Sequence, residues 1–272
     1  MVVKVTSIFT HFKPTRAENA KAFAKHEIIL TAGSFNTAKL LMLSRIGPDD
    51  HLSQHNIPLI KHLSGVGQSL KDHPAVFPTA LVSDHLFSRA AFESSPSLTA
   101  AAKAQWEQDG TGETATQFSS LPVIFNKLPN VYNTPEFHAL KEREKEYLKR
   151  DAVPIYEAAF MGPKIPPTAE VPVGKDYLSF FVFAMNPQGS GTVSLASANP
   201  EGAAIIDPKA LSHAFDKMVL VEALIDAIEI FKGMDIYKEG FEGWLNGLES
   251  LERDVVKRFV EEQTMLMDGE NG

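Results

Sequence analysis

The sequence predicts a mixed fold of class α/β (α+β), a short α/β portion followed by a larger one with a largely antiparallel sheet packed by helices. Three observations predict it. A strand, a small-residue turn and a helix follow one another through residues 26–48. A long run that is apolar on both faces lies at 176–187, and strong helical periodicity follows at 215–231. At 272 residues, 44% hydrophobic and 22% charged, the chain is long enough to bury about three-quarters of its unfolded surface without a metal or disulfide staple. It contains no cysteine.

The first element is HEIILTAG, residues 26–33, where Ile28 to Thr31 are apolar or β-branched and the small pair Ala32 and Gly33 follows. This reads as a buried strand. Ser34 or Asn36 is placed to cap a helix whose leucines Leu40, Leu41 and Leu43 recur until Gly47 and Pro48 stop it. Residues 49–56 suggest a short polar helix, 58–63 a strand, and GVGQSLKDHP, residues 65–74, a glycine-punctuated loop. AVFPTALVSD then reads as a strand. SLTAAAKAQWEQDG reads as a helix ending at Gly110, and Phe137 to Arg150 as a charged helix with a solvated face.

Five prolines between Asp151 and Gly174 predict an irregular surface connection. In DYLSFFVFAMNP, Leu178, Phe180, Val182 and Ala184 alternate with Ser179, Phe181, Phe183 and Met185, so a central strand is expected. NPQGSG reads as a turn leading to a second strand at Thr192, Val193 and Leu195, which predicts a strand pair. Helices at 215–231 and 251–260 complete the pattern. No internal repeat or low-complexity segment interrupts it.

A formal net charge of −8 gives no basic field for a phosphate backbone, which argues against nucleic acid as a partner. Apolar runs fall short of a membrane span, and the opening residues lack the apolar core of a signal peptide. A soluble, cytoplasmic protein with small-molecule partners is the expectation. The histidines show no metal-ligand pattern: His51 and His55 stand four apart, but on a polar stretch without a third ligand. No metal site is expected. There is no G-x-S-x-G, and the acidic pairs near residues 145 and 261 read as solvated helix charge. No catalytic residue is assigned.

Three stretches resemble the glucose-methanol-choline (GMC) family of FAD-dependent oxidoreductases, in the order that family uses. GSFNTAKLLMLSRIGP, residues 33–48, is similar to the family's second signature, with Arg45 at a glycine position and Ala38 at a proline position. GVGQSLKDHP is close to the family's GVGQNLQDHP, with Ser69 in place of asparagine. The stretch 186–216 resembles the family's substrate-domain hairpin. The first twenty-five residues fit no family feature.

The resemblance implies FAD as cofactor and residues 1–75 as a partial FAD-binding domain, with 76–272 as a substrate-binding domain. It places Thr31, Ala32, Gly33 and Ser34 at a strand end where small residues let backbone approach a dinucleotide. It sets Asn36 and Thr37 at the adjoining helix start, and Asp72 and His73 in a loop covering part of the cofactor. His73 is cofactor-adjacent or structural in that reading, not the catalytic base. No G-x-G-x-x-G occurs in the sequence, and the family's catalytic-histidine segment would begin shortly after Met267. The resemblance therefore implies a truncated, middle portion of an oxidoreductase of CH–OH donors that binds FAD poorly alone, either a fragment of a longer gene or half of a split enzyme completed by a second polypeptide. Its substrate would be a small-molecule alcohol or secondary metabolite. The alternative is a redox-neutral cyclase, isomerase or small-molecule-binding protein that has lost the flavin, with a pocket on the Phe180, Val182 and Ala184 face or on the Phe181 and Phe183 face.

Overall fold

The computed structural model describes residues 24–83, 92–117, 122–162, 170–245 and 247–266. Its principal elements begin with α1 (Gly33–Leu43), β1 (Ile46–Gly47), α2 (Asp49–Gln54), β2 (Lys61–His62), β3 (Pro74–Val76), β4 (Thr79–Ser83) and α3 (Pro96–Asp109). The chain continues through β5 (Val123–Asn126), α4 (Pro135–His138), α5 (Glu142–Lys149), β6 (Tyr156–Gly162) and β7 (Lys175–Ala184). It ends with β8 (Thr192–Leu195), β9 (Ala204–Asp207), α6 (Ala214–Lys232), β10 (Phe241–Trp244), α7 (Arg253–Gln263) and β11 (Met265–Leu266). The chain forms two compact units, residues 1–70 with 191–208, and residues 71–190 with 209–272.

The first unit has a small core. Ala38 and Met42 of α1 pack with Leu52 and Ile57, and with Val193 and Leu195 of β8. β1 and β2 form a two-residue parallel pair, Ile46 opposite Lys61 and Gly47 opposite His62. The strand expected at Ile28–Thr31 does not form: residues 27–31 pair with no strand among the described residues, and Ile29 is 74% exposed. An apolar run becomes a strand only when a neighbour takes up its N–H and C=O groups. The expected strand at 58–63 shrinks to Lys61–His62 for the same reason.

Residues 191–208, which the sequence attaches to the later part of the chain, pack in the first unit. Two glycines make this possible. Gly67 has φ +74°, and a Cβ there would collide with the Val193 carbonyl; Val193 N–H in turn donates to the Gly67 carbonyl at 2.8 Å. Leu70 and Gly191 exchange both backbone hydrogen bonds, at 3.0 and 2.8 Å, where a Cβ on Gly191 would collide with the Asp207 carbonyl. β8 consequently pairs with β9, Thr192 opposite Asp207, and not with β7 as the turn-forming NPQGSG suggested.

The second unit is built on a seven-stranded antiparallel sheet. β7 is its centre. β6 pairs along one edge of β7, and β3 and β4 pair in succession along the other. Pro78 divides β3 from β4 because it has no N–H to give, yet its carbonyl still accepts from Phe180 N–H at 2.9 Å. β6 corrects the irregular connection expected between Asp151 and Gly174: Tyr156 to Phe160 pair residue for residue with Ala184 to Phe180, despite prolines on both sides. Residues 163–169 of that stretch lie outside the described residues.

Helix α3 starts where Ser95 Oγ accepts from Leu98 N–H and ends at Gly110 in the left-handed conformation, φ +72°. The expected single helix from Phe137 to Arg150 is two. Glu144 Oε2 reaches back to Lys141 N–H at 2.9 Å and starts α5 afresh, while Leu140 between them is buried. α6 lies on one face of the sheet, with Phe231 stacked edge-on to Phe180 at 4.7 Å.

Candidate functional site

The residues singled out from the sequence fall into two places. Thr31, Ala32, Gly33, Ser34 and Asn36 are exposed together at the start of α1 in the first unit, with Thr37 half-buried beside them. No side chain caps this helix, so its leading N–H groups keep the free hydrogen-bonding capacity of a helix start. Gly33 has φ +82°, and nothing lies within 4 Å of where its Cβ would stand, which leaves the backbone open to close approach. Thr37 acts locally, its Oγ1 accepting from Ala32 N–H at 3.1 Å and tying the entering chain to the helix.

Asp72 and His73 belong to the second unit. Asp72 Oδ1 accepts from His73 N–H at 2.7 Å, just ahead of β3. Lys71 next to them donates from Nζ to the Pro187 carbonyl at 2.6 Å.

The sheet of the second unit offers two unlike faces. Leu178, Phe180, Val182 and Ala184 of β7, with Ala158 and Phe160 of β6, are buried in the main core with α6. That face is filled. The opposite face carries Phe181 and Phe183 of β7, with Phe77 at ring distances of 5.1 and 6.1 Å, all edge-to-face. It continues across β6 and β5 to Phe125, which is 61% exposed. Of the two surfaces that the sequence offered for a ligand, this one has apolar area still open to solvent, at half-buried Phe181 and exposed Phe125, while Phe183 and Phe77 are buried.

A cleft of about 210 Å³ also opens between residues 127–131 and α6, lined by Glu222, Asp226 and Glu229. Its carboxylates are already engaged. Glu222 pairs with Arg253, Glu229 with Lys232, and Asp226 accepts from the Tyr156 hydroxyl and, at 3.1 Å, from Asn126. Burial first, and the Asp226 hydrogen bond second, hold the Tyr156 hydroxyl well above its ordinary pKa, so it stays a proton donor.

Other anchors were invisible in the sequence. Asp216, almost wholly buried in the first turn of α6, accepts from Gln188 N–H at 2.7 Å and Gly189 N–H at 2.8 Å. Burial raises its pKa, and these two bonds with nearby His213 and Lys71 oppose the rise. In the first unit His51 Nε2 accepts from Leu195 N–H at 2.9 Å, which removes that nitrogen from metal ligation. Desolvation, and then the charge of His55, lower the His51 pKa. No signal at the level of residue spacing connects His51 to Leu195 or Asp216 to Gln188. Among the described residues no group of three or more His, Cys, Asp or Glu is placed to hold a metal, and no helix is long and apolar enough to cross a membrane.

The comparisons with known proteins converge. Residues 4–75 match the family model for GMC oxidoreductase, so the match takes in most of the opening residues that looked unlike the family. The oxidoreductase cicC of Emericella nidulans is 29% identical over 73% of this chain and 32% of its own length. The glucose methanol choline oxidoreductase atC of Aspergillus terreus is 32% identical over 74% of this chain and 32% of its own. An oxygen-dependent choline dehydrogenase of Brucella canis is 31% identical over 71% and 31%. The chain thus spans about a third of the length of the curated relatives it matches. Among solved structures, a formate oxidase of Aspergillus oryzae superposes with TM-score 0.76 at 23% identity, over 91% of this chain and 44% of that one. Pyridoxine 4-oxidase of Mesorbium loti does so with TM-score 0.63 at 18% identity, over 93% and 41%. The chain thus resembles GMC oxidoreductases in sequence across some three-quarters of its length and in fold across nine-tenths.

Proposed function

We propose that this chain supplies the substrate-side part of an FAD-dependent oxidoreductase acting on CH–OH donors, with residues 1–75 contributing to FAD binding and 76–272 to substrate binding. The observation that carries the reading is the coincidence of the GMC match over residues 4–75 with an open, small-residue helix start at Thr31–Ser34. That start fits one edge of a dinucleotide. Gly33 leaves backbone accessible, and the uncapped N–H groups of α1 suit an oxygen-rich ligand. Thr31, Ala32, Gly33, Ser34 and Asn36 would hold the cofactor there. When bound, FAD would take up the hydride released from the carbon of the alcohol.

The chain's own share of the chemistry is binding and orientation. The Phe181 and Phe183 face of the sheet would seat the apolar part of an alcohol or secondary metabolite and keep water from it. The phosphate-cradling G-x-G-x-x-G is not among these residues, so tight binding of FAD would draw on residues beyond them, in the same chain or in a second polypeptide. The experiment is a titration of purified protein with FAD, followed by flavin fluorescence and absorbance, alone and mixed with separately expressed polypeptides that supply such a motif. Weak uptake alone and tighter uptake in a mixture are expected. Failure to take up flavin in every mixture would sink the proposal.

A second reading has its own support: the Phe77, Phe181 and Phe183 face is built entirely within the second unit. A redox-neutral enzyme or binding protein would need no more than that. Mass spectrometry of the protein purified from its host separates the two, since a co-purified metabolite without flavin favours the second.

A further inference from the structure

Arg45 follows α1 in a backbone conformation that suits glycine. Its φ of +72° is the largest of any non-glycine residue described, and a long side chain there carries a free-energy cost. The backbone itself is well anchored. Arg45 N–H donates to the Met42 carbonyl at 2.9 Å, and the Arg45 carbonyl accepts from Ile60 N–H at 2.9 Å and Lys61 N–H at 3.2 Å. Those bonds involve no side chain, so they do not account for an arginine.

The side chain is held as well. Its Nε donates to the Pro58 carbonyl at 2.6 Å, and not to the last carbonyls of α1, where the helix dipole would draw a cation. Among the described residues, no second hydrogen bond and no ion pair involves this guanidinium, and Arg45 is exposed. One bond thus steadies a planar fork whose paired Nη groups keep their donors for a partner outside the chain.

The border of the fork is apolar. Leu59 and Ile60 follow directly on the carbonyl that anchors it, and they are 36% and 53% exposed. Strand register sets Lys61 on the side of buried Ile46, so Ile60 faces the other way, into solvent. A carboxylate meets paired Nη groups in a bidentate contact, matching their plane and their single charge. An apolar body attached to that carboxylate would cover Leu59 and Ile60. Phosphate would leave much of its charge unpaired at one fork, a cation would be repelled, and a neutral alcohol would leave the fork unmet.

We propose that Arg45, with Leu59 and Ile60, forms a binding site for a small amphiphilic carboxylate, the fork taking the carboxylate and the two side chains its apolar body. The site goes beyond the cofactor and substrate reading. It uses none of the residues assigned there, and it needs neither flavin nor turnover.

The test is an NMR titration of the isotope-labelled protein with sodium hexanoate, and in parallel with 1-hexanol and with sodium acetate, sodium chloride balancing ionic strength. Saturable shifts are expected at amides 45–47 and 59–63 with hexanoate, weaker binding with acetate, and none with hexanol. Arg45→Gly should weaken hexanoate binding about tenfold or more. It should not lower the melting temperature, because glycine suits that backbone, and lost binding is thereby separated from lost folding. Arg45→Lys keeps the charge without the fork and should weaken binding several-fold. No saturable shift in the wild type, equal response to hexanoate and hexanol, equal affinity for hexanoate and acetate, or unchanged affinity in either variant would each overturn the proposal. Failure of FAD uptake would leave the titration untouched.

Discussion

The first unit buries Ala38, Met42, Leu52, Ile57, Val193 and Leu195, while Ile29, Leu59, Ile60, Leu63, Ile205 and Ile206 stand exposed on it. The second unit carries a continuous core from Val76 to Val260, over a sheet whose central strand β7 is paired on both edges. The contrast is one of completeness. A parallel pair of two-residue strands is ordinarily the corner of a larger sheet covered on both faces. An antiparallel sheet with one face under helices is already a stable layer structure. Stability should therefore reside in the second unit, and ligand-dependent ordering in the first.

The sharpest way to break that contrast is Phe180→Ala. Phe180 is fully buried against Phe160, Phe231 and Trp244, so the truncation should cost about 3–5 kcal/mol in denaturant unfolding. A loss below about 1 kcal/mol would mean the core is loosely packed. Asp216→Ala comes next, since it strands the Gln188 and Gly189 N–H groups; about 2–3 kcal/mol is expected, with faster hydrogen exchange at those two amides.

The third test lies in the first unit. The pKa of His51 is lowered, so the folded state resists its protonation and the unfolded state accepts it more readily. The contribution of neutral His51 is fully present above the unfolded value of 6.5 and is lost as pH falls below it toward the folded value. Protection of the Leu195 amide, corrected for intrinsic exchange, should decline over that range, and His51→Gln should flatten the dependence. The smallest effect is expected for Phe125→Ala, under about 0.5 kcal/mol by thermal melting, because the ring is mostly in solvent already.

Local periodicity foretold much of the second unit. The two-sided apolar run at 176–187 became the central strand, the capped stretch ending at Gly110 became α3, and the apolar positions from Phe215 to Phe231 became α6. The errors came where a distant partner decides. Ile28–Thr31 has the composition of a strand without a neighbour, and Thr192–Leu195 left β7 for β9 because Asp216, Leu70 and Gly67 take the intervening backbone groups. Of the candidate site, the open start of α1 followed from its small residues. The setting of Arg45 did not: SRIGP gives no sign of the Pro58 carbonyl that holds its side chain, or of the Ile60 and Lys61 N–H groups that meet its backbone.

The join between Gly67 and Val193 also sets an order of events during synthesis. Residues 24–70 leave the ribosome ahead of residues 71–190, and the β8–β9 hairpin that completes their core follows the whole of that stretch. The second unit can begin to condense around β3, β4, β6 and β7 while the first still waits, its closing contacts delayed by chain length and by the entropy of so long a loop. Residues 24–70 thus close only after residues 71–190 have been made. During that interval Ala38, Met42, Leu52 and Ile57, which pack with Val193 and Leu195 once β8 arrives, are apolar surface that a holding chaperone could cover.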